Sequence, residues 1–143
     1  MGLVISTAVL NVTPNVANAT NSELSMAATH IGSDGVSSTT GTITVKDAYG
    51  VAGAGNIRSN ADDTAILGVS TTAGTVSAIT SQGSGVYTFT LTSSDEVETA
   101  TVSATVSGAA LGSADVDFNV DTASAADSDL EVAQATVQAA LAN

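Results

Sequence analysis

Asp115, Asp117, Asn119 and Asp121 alternate along one stretch, opposite Val116, Phe118 and Val120. Asp62-Asp63 and Asp95-Glu96 with Glu98 form two further acidic clusters. The chemistry open to such side chains is calcium binding, which needs about six to eight oxygen ligands gathered mostly from loops. Carboxylates in a row on one strand stand about 7 Å apart, too far for one ion without help from another loop. No EF-hand-type loop is present. The metal candidates are therefore Asp62, Asp63, Asp115, Asp117 and Asp121, with calcium as the ion. Against them stands a plainer reading, a solvated face whose charges also block edge-to-edge pairing. The expectation is that no cofactor is needed and that the domain folds without calcium.

Catalysis lacks parts. His30 is the only histidine, and Lys46 and Arg58 are the only basic residues. A Ser/His/Asp arrangement would need His30 beside a serine and an acid. In a chain this rich in serine such proximity carries little weight, so His30 reads as a strand-end residue near the Gly32–Gly35 turn. A carboxylate pair for glycoside hydrolysis would sit in an aromatic-lined cleft, but the chain has two Tyr, two Phe and no Trp. Gly50, Gly53 and Gly55 lie in "GVAGAGNIRS" (50–59), yet no helix and no phosphate-binding lysine follow, so this is a loop. The sequons at Asn11 and Asn18 read as chance matches. The chain is expected not to be an enzyme.

The charge balance narrows the partners. Fourteen acidic and two basic residues give a formal net charge of −12. Such a surface repels nucleic acid and anionic lipid, and attracts cations or basic partners. Self-repulsion is screened by salt, which fits a saline or calcium-containing milieu. There is no cysteine, so the fold uses no disulfide and no thiolate zinc site. "MGLVISTAVL" (1–10) is apolar but has no basic n-region and is too short to span a membrane. It reads as a strand of the mature protein rather than a signal peptide.

These residues need a scaffold, and the spacing predicts strands. Hydrophobic residues make up 43% of the 143 and aromatics only 3%, so the core must be aliphatic. The strand candidates are "LVISTAVLNV" (3–12), "ELSMAATHI" (23–31), "GTITVKDA" (41–48), "TAILGVS" (64–70), "GTVSAIT" (74–80), "GVYTFTLTS" (85–93), "ETATVSATVSG" (98–108) and "GSADVDFNVD" (112–121). Glycine-containing turns separate them, which predicts a sandwich. In "GVYTFTLTS" the residues Tyr87, Phe89 and Leu91 form the inner face. With Ile43, Val45, Leu67, Val76, Val102, Val106, Val116 and Phe118 they form the predicted core. After residue 123 the character changes. Leu130, Ala133, Val137 and Leu141 mark a helical stripe, and Ser128 with Glu131 forms a capping box.

The stretch from 34 to 120 resembles the bacterial Ig-like domain of the invasin/intimin type. The matching residues are Asp34-Gly35-Val36-Ser37, then "TITVKDAYG", "GTVSAIT", "GSGVYTFTLTS", "ATVSATVSG" and "ADVDFNV". The resemblance implies that Val45, Asp47 and Gly50 end a core strand and turn the chain at the sandwich edge. Asp bonding its own turn and Gly taking a positive φ fit that role. Lys46 then points outward as a strand-face charge partner. Departures are Val51-Ala52, where the family carries Asn-Pro or a similar pair, and the segments 1–22 and 123–143, which lie outside the usual repeat. The fold expectation is mainly β: an Ig-like antiparallel β-sandwich over 23–122, about seven or eight strands, with an N-terminal strand or arm over 1–22 and a C-terminal α-helix over 123–143.

Two functional classes follow. Reading the chain as a complete small protein, its ends become the functional parts: Leu3, Ile5 and Val9 on an apolar strand, and Leu130, Val137 and Leu141 on a thin helix stripe. Alone, such a strand recruits other chains and such a helix is marginal. That predicts a non-enzymatic virion protein, decorating a phage capsid or tail through protein partners, as a homo-oligomer or in a larger assembly, with no nucleic-acid or membrane partner. The alternative is an Ig-like module of a secreted or cell-surface bacterial adhesin, located outside the cell.

Overall fold

The computed structural model describes residues 2–3, 7, 16–49, 55–59 and 61–120. Nine strands make up two sheets: β1 (Glu23–Met26), β2 (His30–Gly32), β3 (Ser38–Thr44), β4 (Leu67–Thr71), β5 (Thr75–Val76), β6 (Thr80–Gly83), β7 (Val86–Thr92), β8 (Glu98–Val106) and β9 (Ala109–Asn119). One sheet runs β1-β3-β7-β5, with β6 also on β7; the other runs β2-β9-β8-β4. The predicted C-terminal helix and most of the N-terminal strand lie outside the described residues.

Alternation decides which face goes inside. On β3 and β7 the register pairs Thr40 with Thr90 and Thr42 with Thr88 on the outer face, and Ile43 with Tyr87 on the inner one. On β9, Val116 and Phe118 point in while Asp115 and Asn119 stay exposed. Ile43, Val45, Tyr87, Phe89, Leu91, Val102, Val106, Val116 and Phe118 are all buried, as the pattern predicts. Each large side chain removed from water contributes about 1.5–3 kcal/mol. Leu67 and Val76 are only half-buried, because they pack at the rim of that core. Gly41 lies under the Phe89 ring, and a Cβ there would overlap it.

The turns follow from local chemistry. Ser84 and Gly85 (φ 53° and 73°) join β6 to β7, and Ser107 and Gly108 (φ 50° and 80°) join β8 to β9. Two consecutive positive φ angles match the right-handed twist of a tight hairpin. A bulge between Ala104 and Thr105 accommodates one extra residue of β9.

Several strands depart from the sequence reading. The run 23–31 divides in two and changes sheets. The Ala27 amide still bonds the Thr40 carbonyl of β3 (2.8 Å), but the Thr29 carbonyl accepts from Asp117 of β9 (2.8 Å). The buried Thr39 hydroxyl receives the Ala28 amide between them. β2 then runs parallel to β9, so the sandwich is not wholly antiparallel. In the run 64–70, Asp62 accepts the Thr64 amide and hydroxyl. That starts a 3₁₀ turn over Thr64–Ile66, and the strand begins only at Leu67. The run 74–80 is broken by Ser77, whose hydroxyl takes the Thr90 amide in place of a backbone carbonyl.

Candidate functional site

The strand "TITV" ends where the polar residues begin, and the polar residues explain why. Val45 is buried; its amide bonds Gly85 (2.9 Å) and its carbonyl accepts from Arg58 (3.0 Å). Lys46 gives its amide to the Ser22 hydroxyl (2.9 Å). Its ammonium pairs with Glu23 at 2.7 Å, so the charge partner is Glu23 across the sheet edge. Glu23 is 65% exposed, and so open a pair adds little stability.

Asp47 does more. It is 5% exposed, and its Oδ1 accepts the amides of Tyr49 (3.0 Å) and Asn56 (2.9 Å). The first bond closes the turn that the aspartate predicts. The second ties that turn to Asn56, nine residues on, beside the isolated bridge between Lys46 and Ile57. Gly50, the expected turn glycine, lies outside the described residues. The close approach falls on Gly55, where a Cβ would overlap the Asp47 carbonyl. The same carbonyl accepts the Asn21 side-chain amide at 2.7 Å.

Beside this turn sits an ion pair. Arg58 Nε and Nη2 meet Asp63 Oδ2 and Oδ1 at 2.8 and 2.9 Å. The side chains are 13% and 5% exposed. The Asp63 carboxylate, chiefly through that hydrogen bond, holds the guanidinium above its ordinary pKa. The Tyr87 hydroxyl, reaching out of the core, accepts the Asp63 amide (2.8 Å) and donates to the Ala61 carbonyl (3.1 Å). Asn21, Asp47, Gly55, Arg58, Asp63 and Tyr87 thus close one end of the sandwich as a polar latch. Paired fork to fork and mostly dry, it fixes geometry.

The described calcium candidates do not converge. Asp63 belongs to the latch. Asp62 is occupied by Thr64, whose hydroxyl bond, with its amide bond, lowers the carboxyl's pKa. Asp115 and Asp117 lie on the outer face of β9, each accepting a hydroxyl from the cross-strand threonine, Thr101 (2.8 Å) and Thr99 (2.7 Å). Asp121 lies outside the described residues. Among the described residues no three His, Cys, Asp or Glu side chains gather in one place. His30 Nδ1 stands 3.3 Å from Asp117 and 3.4 Å from the Asn119 amide. A His–Asp contact at ion-pair distance is thus present, set on an open strand face rather than in a cleft.

Of the assembly candidates, Leu3 is exposed; Ile5, Val9, Leu130, Val137 and Leu141 lie outside the described residues. No described helix is long and apolar enough to cross a membrane. Sequence reasoning passed over Asn21, Gly55 and the Arg58–Asp63 pair. One signal was available: the lone arginine stands five residues before an aspartate in a chain with only two basic residues.

The comparisons agree with this architecture. The family model described as invasin, domain 3, matches residues 18–121. The solved structure of invasin, a bacterial integrin-binding protein, is 32% identical, with TM-score 0.62, over 77% of this chain and 21% of its own. The Yersinia pseudotuberculosis adhesin InvE is 31% identical, with TM-score 0.54, over 73% and 27%. The Escherichia coli adhesin FdeC is 28% identical, with TM-score 0.60, over 76% and 33%. This chain therefore spans between about a fifth and a third of these structures' lengths. No curated protein matches it.

Proposed function

The chain belongs to the invasin domain 3 family, and from that premise we propose that it is an Ig-like module of a bacterial surface adhesin. It contributes a rigid, non-enzymatic unit outside the cell and engages protein. The observation that carries this reading is the match over residues 18–121, which takes in the whole two-sheet sandwich. The solved relatives are themselves described as adhesins or as an integrin-binding protein.

The composition fits the role. The outer faces are threonine, serine and carboxylate, and the latch closes one end with hydrogen bonds. Such a module holds its shape in saline surroundings without cysteine or metal. The virion role expected from the terminal segments gives way to this adhesin alternative. It rested on the terminal segments, with Leu3, Ile5, Val9, Leu130, Val137 and Leu141, all but Leu3 outside the described residues, whereas the family match covers the sandwich itself.

The test is location. Antibody to the purified chain, applied to intact cells of the source bacterium and to virions purified from the same culture, should label the cells. Label confined to virions, or seen only after the cells are broken open, overturns the reading.

A further inference from the structure

The exposed large apolar residues are distributed unevenly. The outer sheet faces carry threonines and acids. Val16, Tyr49 and Ile57 lie around the latch, while Val36, Val97 and Val120 lie at the opposite end, 77%, 61% and 79% exposed. That far end consists of the loop between β2 and β3, the loop between β7 and β8, and the end of β9. Three backbone bonds join these pieces: Ser33 to Asn119 (2.8 Å), Gly35 to Ser94 (3.1 Å) and Ser93 to Ser37 (2.9 Å). Asp34 folds the first loop by accepting the amides of Val36 and Ser37, which leaves the Val36 side chain in solvent. The valines are therefore displayed on a built platform. Asp34 lies two residues before Val36, and Asp95 and Glu96 directly precede Val97, all exposed.

We propose that this far end is a docking surface for a separate polypeptide that presents lysines or arginines around an aliphatic centre. Charge complementarity selects that occupant. The platform brings acids to a partner and neither lysine nor arginine. A second copy of this chain carries the same net charge of −12, and its two basic residues are already paired with Glu23 and Asp63 at the other end. Residues 121–143 contain four more acids and no base, so that segment does not neutralise the platform either. A basic–apolar partner satisfies both halves: its cations meet the rim, steering encounter, and its aliphatic groups cover the valines. This deepens the adhesin reading and rests on it for the partner being met outside the cell.

The experiment is a titration of the isotope-labelled full chain with a synthetic peptide of alternating lysine and leucine, followed by amide NMR shifts. Residues 33–37, 93–98 and 119–120 should move first and together. The V36S/V97S double variant should weaken binding roughly tenfold, by loss of apolar cover, with an unchanged melting temperature because both side chains are exposed. Shifts spread over Glu23, Asp62 and Asp115 as much as over the platform would show diffuse charge attraction and overturn the proposal. So would equal binding by the double variant. The titration does not depend on where the protein resides, so its failure is distinct from absence of the chain from the cell surface, which sinks the adhesin reading alone.

Discussion

Replacing Arg58 with methionine tests whether the latch holds the sandwich closed. The change keeps most of the aliphatic stem and removes the guanidinium. Asp63, 5% exposed, then keeps a carboxylate with two charge-assisted bonds missing. Removing one partner of a buried ion pair costs about 3–5 kcal/mol. Arg58 is slightly open to water at 13%, which places the expected loss near the lower end, about 3 kcal/mol. Domains of this size hold about 5–15 kcal/mol in total, so the effect is large. In melting temperature it corresponds to a fall of about 10–20 °C. The assay is urea and thermal unfolding by circular dichroism. R58M/D63L removes both charges and should recover part of the loss, since an apolar replacement leaves no stranded carboxylate. The bond from the residue-63 amide to the Tyr87 hydroxyl survives in both variants, because its donor is the backbone and Tyr87 is untouched. An R58M protein within about 0.5 kcal/mol of wild type would refute the reasoning, since that is the range of ordinary surface changes.

Three further outcomes are expected. G41A should lose about 2–3 kcal/mol in urea unfolding, because the new Cβ overlaps the Phe89 ring in a filled core; a neutral result means the ring has room to move. Asp34 is held at about 2, below the ordinary 3.8, chiefly by the Ser37 amide. A depressed folded value gives stability that is present above pH 3.8 and lost as pH falls toward 2, so the gap between wild type and D34A should close over that window; a constant gap contradicts it. Chelator should move the melting temperature by less than about 2 °C, since a ligand stabilises only by its occupancy; a large drop would make Asp62, Asp115 or Asp117 ligands.

The sandwich was legible because its core alternates so regularly. Tyr87, Phe89 and Leu91 oppose a run of threonines, and nothing but a strand gives that period. The strand breaks were less visible. Ser77 interrupts a ladder with its own hydroxyl, and Thr39 caps the crossover from one sheet to the other; a serine or threonine in a strand pattern does not announce either act. The parallel pairing of β2 with β9 joins residues some ninety positions apart, beyond any local signal. Asp47 was read correctly as a turn residue, but its partners Asn21 and Asn56 come from distant segments. The far-end platform was hidden for a related reason. Val36, Val97 and Val120 are far apart in sequence and share one end only because backbone bonds join the segments that carry them.

Adherence measures the central claim most directly. Deleting the gene from the source bacterium should lower attachment to host cells or matrix protein several-fold. Restoring the wild-type chain should return it, and restoring the V36S/V97S chain should not. Unchanged attachment in the deletion strain, with a fall in phage yield instead, would contradict the adhesin account.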